Sequence, residues 1–82
     1  MKLSVYSLQK ILFQGQASLL NCKTMVGEIT ILNNHEPFIG VIRPGVMKVV
    51  EEKGKEHLFQ VQSGFLEVQR ENEVRCIVES SS

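Results

Sequence analysis

The chain has 82 residues, of which 43% are hydrophobic and 22% charged, and nine basic residues balance nine acidic ones. This length corresponds to one domain, and the composition is ordinary for a folded globular protein, which excludes a disordered chain. Zero net charge without a basic stripe argues against a protein that binds nucleic acid or a membrane surface through bulk electrostatics.

Short runs of β-branched and aromatic residues, separated by turn residues, predict strands along the whole chain. We place them at residues 2–7, 11–13, 17–22, 27–32, 37–42, 46–52, 55–61, 64–69 and 73–79. This spacing predicts an all-β fold, an antiparallel β-sandwich or flattened barrel of about ten short strands over residues 1–79. Residues 80–82, all serine, are expected to form a polar tail.

Alternation within these runs predicts the core and the turns. We expect burial of Val5, Ile31, Leu66 and Val68, and a shared face for Val74, Cys76 and Val78. The segment PFIGVI (37–42) is apolar on both faces, so we expect it to be covered on both sides. Pro44-Gly45 suits the centre of a type II turn, Lys53-Gly54 a hairpin, and Glu71-Asn72 a further turn.

The residues offer little support for catalysis, so we predict no enzyme, no cofactor and no metal. The chain has no glycine-rich phosphate loop, no metal-ligand spacing and no Gly-x-Ser-x-Gly turn. Glu28 and His35 flank one predicted strand and its turn; a proton-transfer pair is conceivable there, but polar surface residues framing a turn are far commoner. The default interpretation of His57 is solvated surface.

The cysteines and aromatic residues are expected to be structural. Cys22 and Cys76 form no CxxC unit and lie among apolar residues, so we expect buried thiols, with a disulfide left open. A small barrel that binds nucleic-acid strands needs aromatic platforms and a positive groove. The chain has five aromatic residues, and most of them fall at apolar positions instead and are expected in the core. The five are Tyr6, Phe13, Phe38, Phe59 and Phe65.

The order of several short motifs resembles one known family. MKLSVYS is followed by LF-x-G, GE-x-TIL-x-x-H-x-P, I-x-PG and F-x-V-x-SGFLEV, in this order and at unbroken spacing. Together they resemble the N-terminal β-sandwich domain of the epsilon subunit of the F-type ATP synthase, from Met1 to about Glu79. The motif positions are Phe13, Gly15, Gly27, Glu28, Ile31, Leu32, His35, Pro37, Pro44, Gly45 and Gly64 to Val68.

The resemblance implies a non-catalytic rotor subunit that links the gamma subunit to the c-ring and couples ion flow to ATP synthesis. It implies a peripheral membrane protein on the cytoplasmic face of the bacterial cell membrane, with no nucleic-acid partner and no small-molecule substrate of its own. The c-ring contacts that it implies are Lys23, Thr24, Val26, Glu28, Asn33 and His35. The gamma contacts that it implies are Ser7 and Gly40.

Two departures from the family pattern bear on this expectation. The chain has Lys23 to Val26 where relatives commonly carry proline and glycine, and Asn33-Asn34 where they commonly carry Pro-Gly. Asparagine tolerates left-handed conformations, so we expect the second turn to form. The chain ends after the last predicted strand, without the C-terminal helical hairpin of many epsilon subunits, and we expect a naturally short protein.

Two further hypotheses belong to other classes. One is a free-standing small β module that binds a peptide or an oligosaccharide, and the other is an enzyme. The N-terminal MKLSVY has neither the apolar core nor the cleavage site of a signal peptide, and the longest apolar run, FIGVI, is far short of the roughly 20 residues that span a bilayer.

Overall fold

Seven strands and no helix form within residues 1–80, the part of the chain that the computed structural model describes. The strands are β1 (Lys2–Tyr6), β2 (Ile11–Thr24), β3 (Gly27–Leu32), β4 (Phe38–Ile42), β5 (Gly45–Glu51), β6 (Glu56–Gln69) and β7 (Glu73–Ser80). The all-β expectation is confirmed, but the expected number of about ten strands is wrong.

The count falls because two strands are long. β2 and β6 each have 14 residues, and each joins two segments that the sequence analysis kept apart. The presumed breaks were glycines, which also occur inside strands where another backbone approaches closely. At Gly64 an added Cβ would lie 2.4 Å from the carbonyl oxygen of Ile77, so glycine there allows β6 and β7 to pair.

The strands make two layers that share β2 and β6. The first sheet has the order β4, C-terminal half of β6, β7, β1, N-terminal half of β2. The second has the order β3, C-terminal half of β2, β5, N-terminal half of β6. β1 and β7 pair in parallel, so the expectation of a purely antiparallel sheet is corrected to a mixed one. Parallel pairing is possible here because most of the chain separates these two strands.

Each long strand has an irregular register at the point where it leaves one layer for the other. The register shifts between Ala17 and Leu19 in β2, and between Val61 and Ser63 in β6. An extra residue in one strand reverses which alternate side chains face inward. Odd-numbered Ala17 and Val61 are therefore buried before the shift, and even-numbered positions such as Leu20 and Leu66 after it.

The core lies between the layers, and the four predicted core residues are all buried. The predicted shared face of β7 is also confirmed. The buried apolar set is Met1, Leu3, Val5, Ala17, Leu20, Cys22, Ile31, Ile42, Met47, Val49, Val61, Leu66, Val68, Val74, Cys76 and Val78.

Covering of β4 on both sides is not found. Ile39 is 74% exposed and Val41 is 45% exposed, while only the alternate residues face the core. Phe65, one of the five aromatic residues of which most were expected in the core, is also exposed. Both expectations failed because an apolar side chain gives the same sequence signal whether its own chain or another molecule covers it.

The turns follow local residue chemistry with one exception. Glu71 and Asn72 have φ values of 64° and 60°, as a tight hairpin turn requires, and Gly54 turns the β5–β6 hairpin with φ 96°. Gly45 instead begins β5 with φ 157°, not the value of about +80° of a type II turn. Ser80 belongs to β7, so it is not part of a tail, and residues 81 and 82 lie outside the described residues.

Candidate subunit interface

Glu28 lies on the outer face of the second sheet, at the start of β3. Its Oε2 accepts a hydrogen bond of 3.2 Å from Asn21 Nδ2, which also donates to Thr30 Oγ1 at 2.9 Å. Lys23 is directly opposite Glu28 in the β2–β3 pair. The carboxylate is exposed and is oriented by a side chain of the neighbouring strand, so it is available for contact with another molecule.

Met25 and Val26 form the two-residue turn between β2 and β3, which we call the hairpin tip. Thr24 holds this turn: its hydroxyl donates to the Gly27 carbonyl at 2.8 Å and accepts from the Val26 amide at 3.2 Å. Thr24 is only 3% exposed, so its side chain positions the tip and does not present itself to a partner.

Asn33 and His35 lie beyond the other end of β3. Asn33 Oδ1 accepts from the Met1 amino group and, at 3.3 Å, from Asn72 Nδ2. His35 is exposed; its Nδ1 is 2.8 Å from the Glu36 carbonyl oxygen and its ring is 5.4 Å from that of Phe38. Glu28 is near the start of β3 and His35 lies beyond its end, and this six-residue strand spans roughly 17 Å at about 3.3 Å per residue. Glu28 and His35 therefore do not form the proton-transfer pair that the sequence left open.

Of the two predicted gamma contacts, Gly40 lies in the first sheet and Ser7 directly follows one of its strands. Ser7 follows β1, and its hydroxyl bonds within the turn, to the amide and carbonyl of Lys10 at 3.2 Å. Gly40 lies in β4 opposite Leu66, where an added Cβ would approach the Phe38 ring to 3.1 Å. Both residues are half-buried, so a partner would meet mainly their backbone and their neighbours.

Apolar residues cross the whole outer face of the first sheet in a single row. Val41 is paired with Phe65, Phe65 with Ile77, Ile77 with Tyr6, and Tyr6 with Ile11. Phe65 is 60% exposed and Ile11 is 55% exposed. We call these five residues the apolar band. Contiguous exposed apolar surface of this kind marks interaction sites in soluble proteins.

A family comparison identifies the domain. The chain matches, over residues 1–81, the family described as ATP synthase, Delta/Epsilon chain, beta-sandwich domain. The chain belongs to this family. It is 38% identical over 73 residues to the ATP synthase epsilon chain of Clostridium novyi, and 37% identical over 65 residues to that of Chromohalobacter salexigens. These alignments cover 89% and 79% of the chain but 56% and 46% of the relatives, so it spans about half their length.

Solved structures agree on the fold of this delta/epsilon-family domain. A chain of the mitochondrial ATP synthase of Euglena gracilis superposes with a TM-score of 0.88 at 23% identity, over 95% of this chain and 49% of that one. A chain in the central stalk and c-ring structure of the Tetrahymena thermophila mitochondrial ATP synthase gives 0.83 at 21% identity, over 98% and 63%. At these identities the likeness shows the fold alone.

Sequence reasoning on this delta/epsilon-family domain missed the apolar band. The signal was present as consecutive apolar residues within strands that cover a single core, such as Phe65-Leu66 and Cys76-Ile77-Val78. In a strand that faces its own core on one side only, alternation leaves every second residue outward. An apolar residue at the outward positions of several adjacent strands therefore indicates a second covering molecule.

His57 of the delta/epsilon-family domain is part of the folded structure. The expectation that His57 is solvated surface is wrong. Its side chain is only 25% exposed, and its Nε2 lies 2.5 Å from Glu51 Oε2. The ring stacks on Phe59 at 6.3 Å because residues 57, 59 and 61 face inward in β6. Within residues 1–80 no three His, Cys, Asp or Glu side chains group as metal ligands, and no helix is long and apolar enough to cross a membrane.

Both cysteines of the delta/epsilon-family domain are free and buried, as expected. Burial raises the pKa of the Cys22 thiol to about 11. Burial also raises the pKa of Cys76, and the nearby Cys22 adds to that shift. A thiol that stays protonated is a poor nucleophile and a poor metal ligand, so neither side chain is poised for chemistry.

Proposed function

We propose that this delta/epsilon-family domain is a non-catalytic rotor subunit of an F-type ATP synthase, joining the gamma subunit to the c-ring and linking ion flow to ATP synthesis. The observation that carries the proposal is the family match over residues 1–81, with relatives named ATP synthase epsilon chain. Its place is on the cytoplasmic face of the bacterial cell membrane, held there as a peripheral subunit through the complex.

The surface proposed for gamma is the outer face of the first sheet. The apolar band is supported as a docking surface by its continuity across five strands and by its exposure. The predicted contacts Ser7 and Gly40 are chain neighbours of Tyr6 and Val41, so they flank the band near its two sides. Burial of such a surface is the dominant favourable term in most protein association.

The surface proposed for the c-ring is the end of the β2–β3 hairpin. It includes Lys23, Val26 and Glu28 as side-chain contacts, and Thr24 as the residue that holds the turn. Asn33 and His35 remain proposed contacts, but they lie at the other end of β3 from the hairpin tip. A single flat surface of the c-ring would therefore not contact both ends of the strand. These two residues are better placed for a second contact of the same assembly.

Co-purification tests the proposal. An affinity-tagged chain should retain gamma and the c-ring from solubilised membranes. Phe65→Asp and Ile77→Asp should each reduce gamma retention by roughly tenfold or more, because a charge in an apolar contact loses its hydration. Leu58→Asp, an equally exposed apolar position on the other sheet, is the matched control and should retain gamma. Retention of neither subunit by the unmodified chain would instead favour a free-standing peptide- or oligosaccharide-binding module.

A further inference from the structure

The hairpin tip carries exposed apolar side chains that the fold does not use. Met25 is 63% exposed and Val26 is 87% exposed. The turn is held by the Thr24 hydroxyl and by a hydrogen bond of 3.0 Å from the Met25 amide to the Val41 carbonyl, so no side chain of the tip takes part. Neither Met25 nor Val26 has a positive φ, and a turn of negative φ at its central positions accepts most residues. The turn therefore gives no local reason for methionine and valine.

Charged side chains are ordered across the base of the tip. β3 pairs with one edge of β2 and Ile42 with the other, so Glu28 and Arg43 lie on opposite sides of Lys23. The Arg43 amide donates to the Lys23 carbonyl at 2.9 Å, which fixes the β4–β5 connection against the hairpin. The sequence of charges across this end of the sandwich is thus negative, positive, positive.

In the part of the chain that the structure describes, neither cation is paired with an acidic side chain. Within residues 1–80 neither Lys23 nor Arg43 takes part in an ion pair; the pairs present are Lys2–Glu73, Lys48–Glu56 and Glu51–His57. Glu28 is opposite Lys23 in register, but its carboxylate bonds to Asn21. A shallow concavity beside the tip has both cations on its lining, together with Thr24, Gly27, Glu28 and Pro44.

We infer that Met25 and Val26 anchor this chain in an apolar depression of the c-ring's exposed loops, and that a carboxylate beside the depression enters the concavity and pairs with Arg43. This inference rests on the proposed function and adds to it the chemistry of the partner surface. An apolar projection beside unpaired cations complements an apolar depression beside an acid, because burial supplies affinity and charge supplies orientation. Arginine suits the second role, since its planar fork binds a carboxylate through two hydrogen bonds.

The test measures retention of purified, detergent-solubilised c-ring and, separately, of gamma by the tagged chain. Met25→Ser/Val26→Ser and Arg43→Glu should each lower c-ring retention by roughly tenfold or more, with gamma retention unchanged. Lys53→Glu in the β5–β6 turn, at the far end of β5 from Arg43, is the control for charge. Leu58→Ser, at a side chain 66% exposed, is the control for apolar area. Both controls should bind the ring normally.

The experiment distinguishes failure of the proposed function from failure of the inference about the hairpin tip. If the unmodified chain retains neither ring nor gamma, the proposed function is overturned and this inference with it. If the unmodified chain retains both and the tip variants do so equally, only this inference is overturned. Serine suits a two-residue turn, so the double variant should fold; if its melting temperature drops, Arg43→Glu decides alone. Binding of the unmodified chain to phosphatidylglycerol vesicles, lost in the double variant, would assign the tip to lipid and overturn the protein partner.

Discussion

Leu66 lies in the core between the two sheets, fully removed from solvent. Truncation to alanine removes apolar contacts and leaves a cavity, so Leu66→Ala should lower the free energy of unfolding by roughly 2–5 kcal/mol. That is a large share of the roughly 5–15 kcal/mol that domains possess. Urea unfolding measures the loss, and Leu58→Ala, at a mostly exposed leucine of the same strand, should cost less than about 0.5 kcal/mol. Equal losses at the two positions would contradict the assignment of inward and outward faces in β6.

The two buried thiols give a pH dependence whose direction follows from their raised pKa values. A thiol whose pKa is above its usual 9.0 in the folded chain stabilises that chain fully below pH 9.0 and loses this contribution as the pH rises. For Cys22 the loss falls between 9.0 and about 11. The free energy of unfolding should therefore decline over this range more steeply in the unmodified chain than in Cys22→Ala/Cys76→Ala. If the free energy of unfolding of the two chains had the same pH dependence, the thiols would titrate alike in the folded and unfolded states.

Among the elements, the turn of the β2–β3 hairpin is held in part by one buried hydroxyl, that of Thr24. Thr24→Val keeps the shape and the strand propensity but removes both hydrogen bonds of Thr24 Oγ1. We expect a cost of about 1–2 kcal/mol, because the Gly27 carbonyl and the Val26 amide lose a partner in a half-covered place. Thr30→Val, on the exposed face of β3, should cost less than about 0.5 kcal/mol. Faster hydrogen exchange of the Val26 amide in Thr24→Val alone would locate the loss of stability in the turn. Equal stability and equal exchange in Thr24→Val and Thr30→Val would contradict the role of the Thr24 hydroxyl.

Local and long-range features of the elements differ in what the sequence could predict. The turns at Lys53-Gly54 and Glu71-Asn72 were predicted because turn chemistry depends on adjacent residues. The irregular registers near Ala17 and Val61 were not, because a bulge is defined only by the partner strand. For the same reason, Gly64 suggested a strand end until Ile77 was found against it.

For the whole molecule, the residues of the candidate interface were predictable only through the motif resemblance. Periodicity distinguishes apolar from polar faces, but it does not say whether an apolar face meets its own core or a partner. Ile39 was therefore expected to be covered, and the apolar band became visible only from the strand order. The separation of Glu28 from His35 likewise depends on the extended path of β3.

The charge of Glu28 serves the proposed assembly more than the fold. Its carboxylate is exposed and makes one side-chain hydrogen bond, to Asn21. Glu28→Lys should therefore shift the free energy of unfolding by less than about 1 kcal/mol, including repulsion from the facing Lys23. It would also replace an acid by a cation at this end of the hairpin. Glu28 is proposed to face polar or basic groups of the c-ring, on the opposite side of Lys23 from Arg43, which is proposed to meet a carboxylate. Like-charge contact at an interface costs several kcal/mol and is felt most at low salt.

The expected result is a rotor that still binds gamma but transmits torque poorly, so ATP-driven proton pumping in membranes that carry Glu28→Lys should fall, most of all at low ionic strength. Glu52→Lys makes the same charge change in the β5–β6 turn, away from the hairpin, and should pump normally. Normal pumping by Glu28→Lys would remove this carboxylate from the contact surface. A large fall in the melting temperature of the isolated chain would make Glu28 a residue of the fold, because its bond to Asn21 would then add to the backbone pairing of β3 with β2.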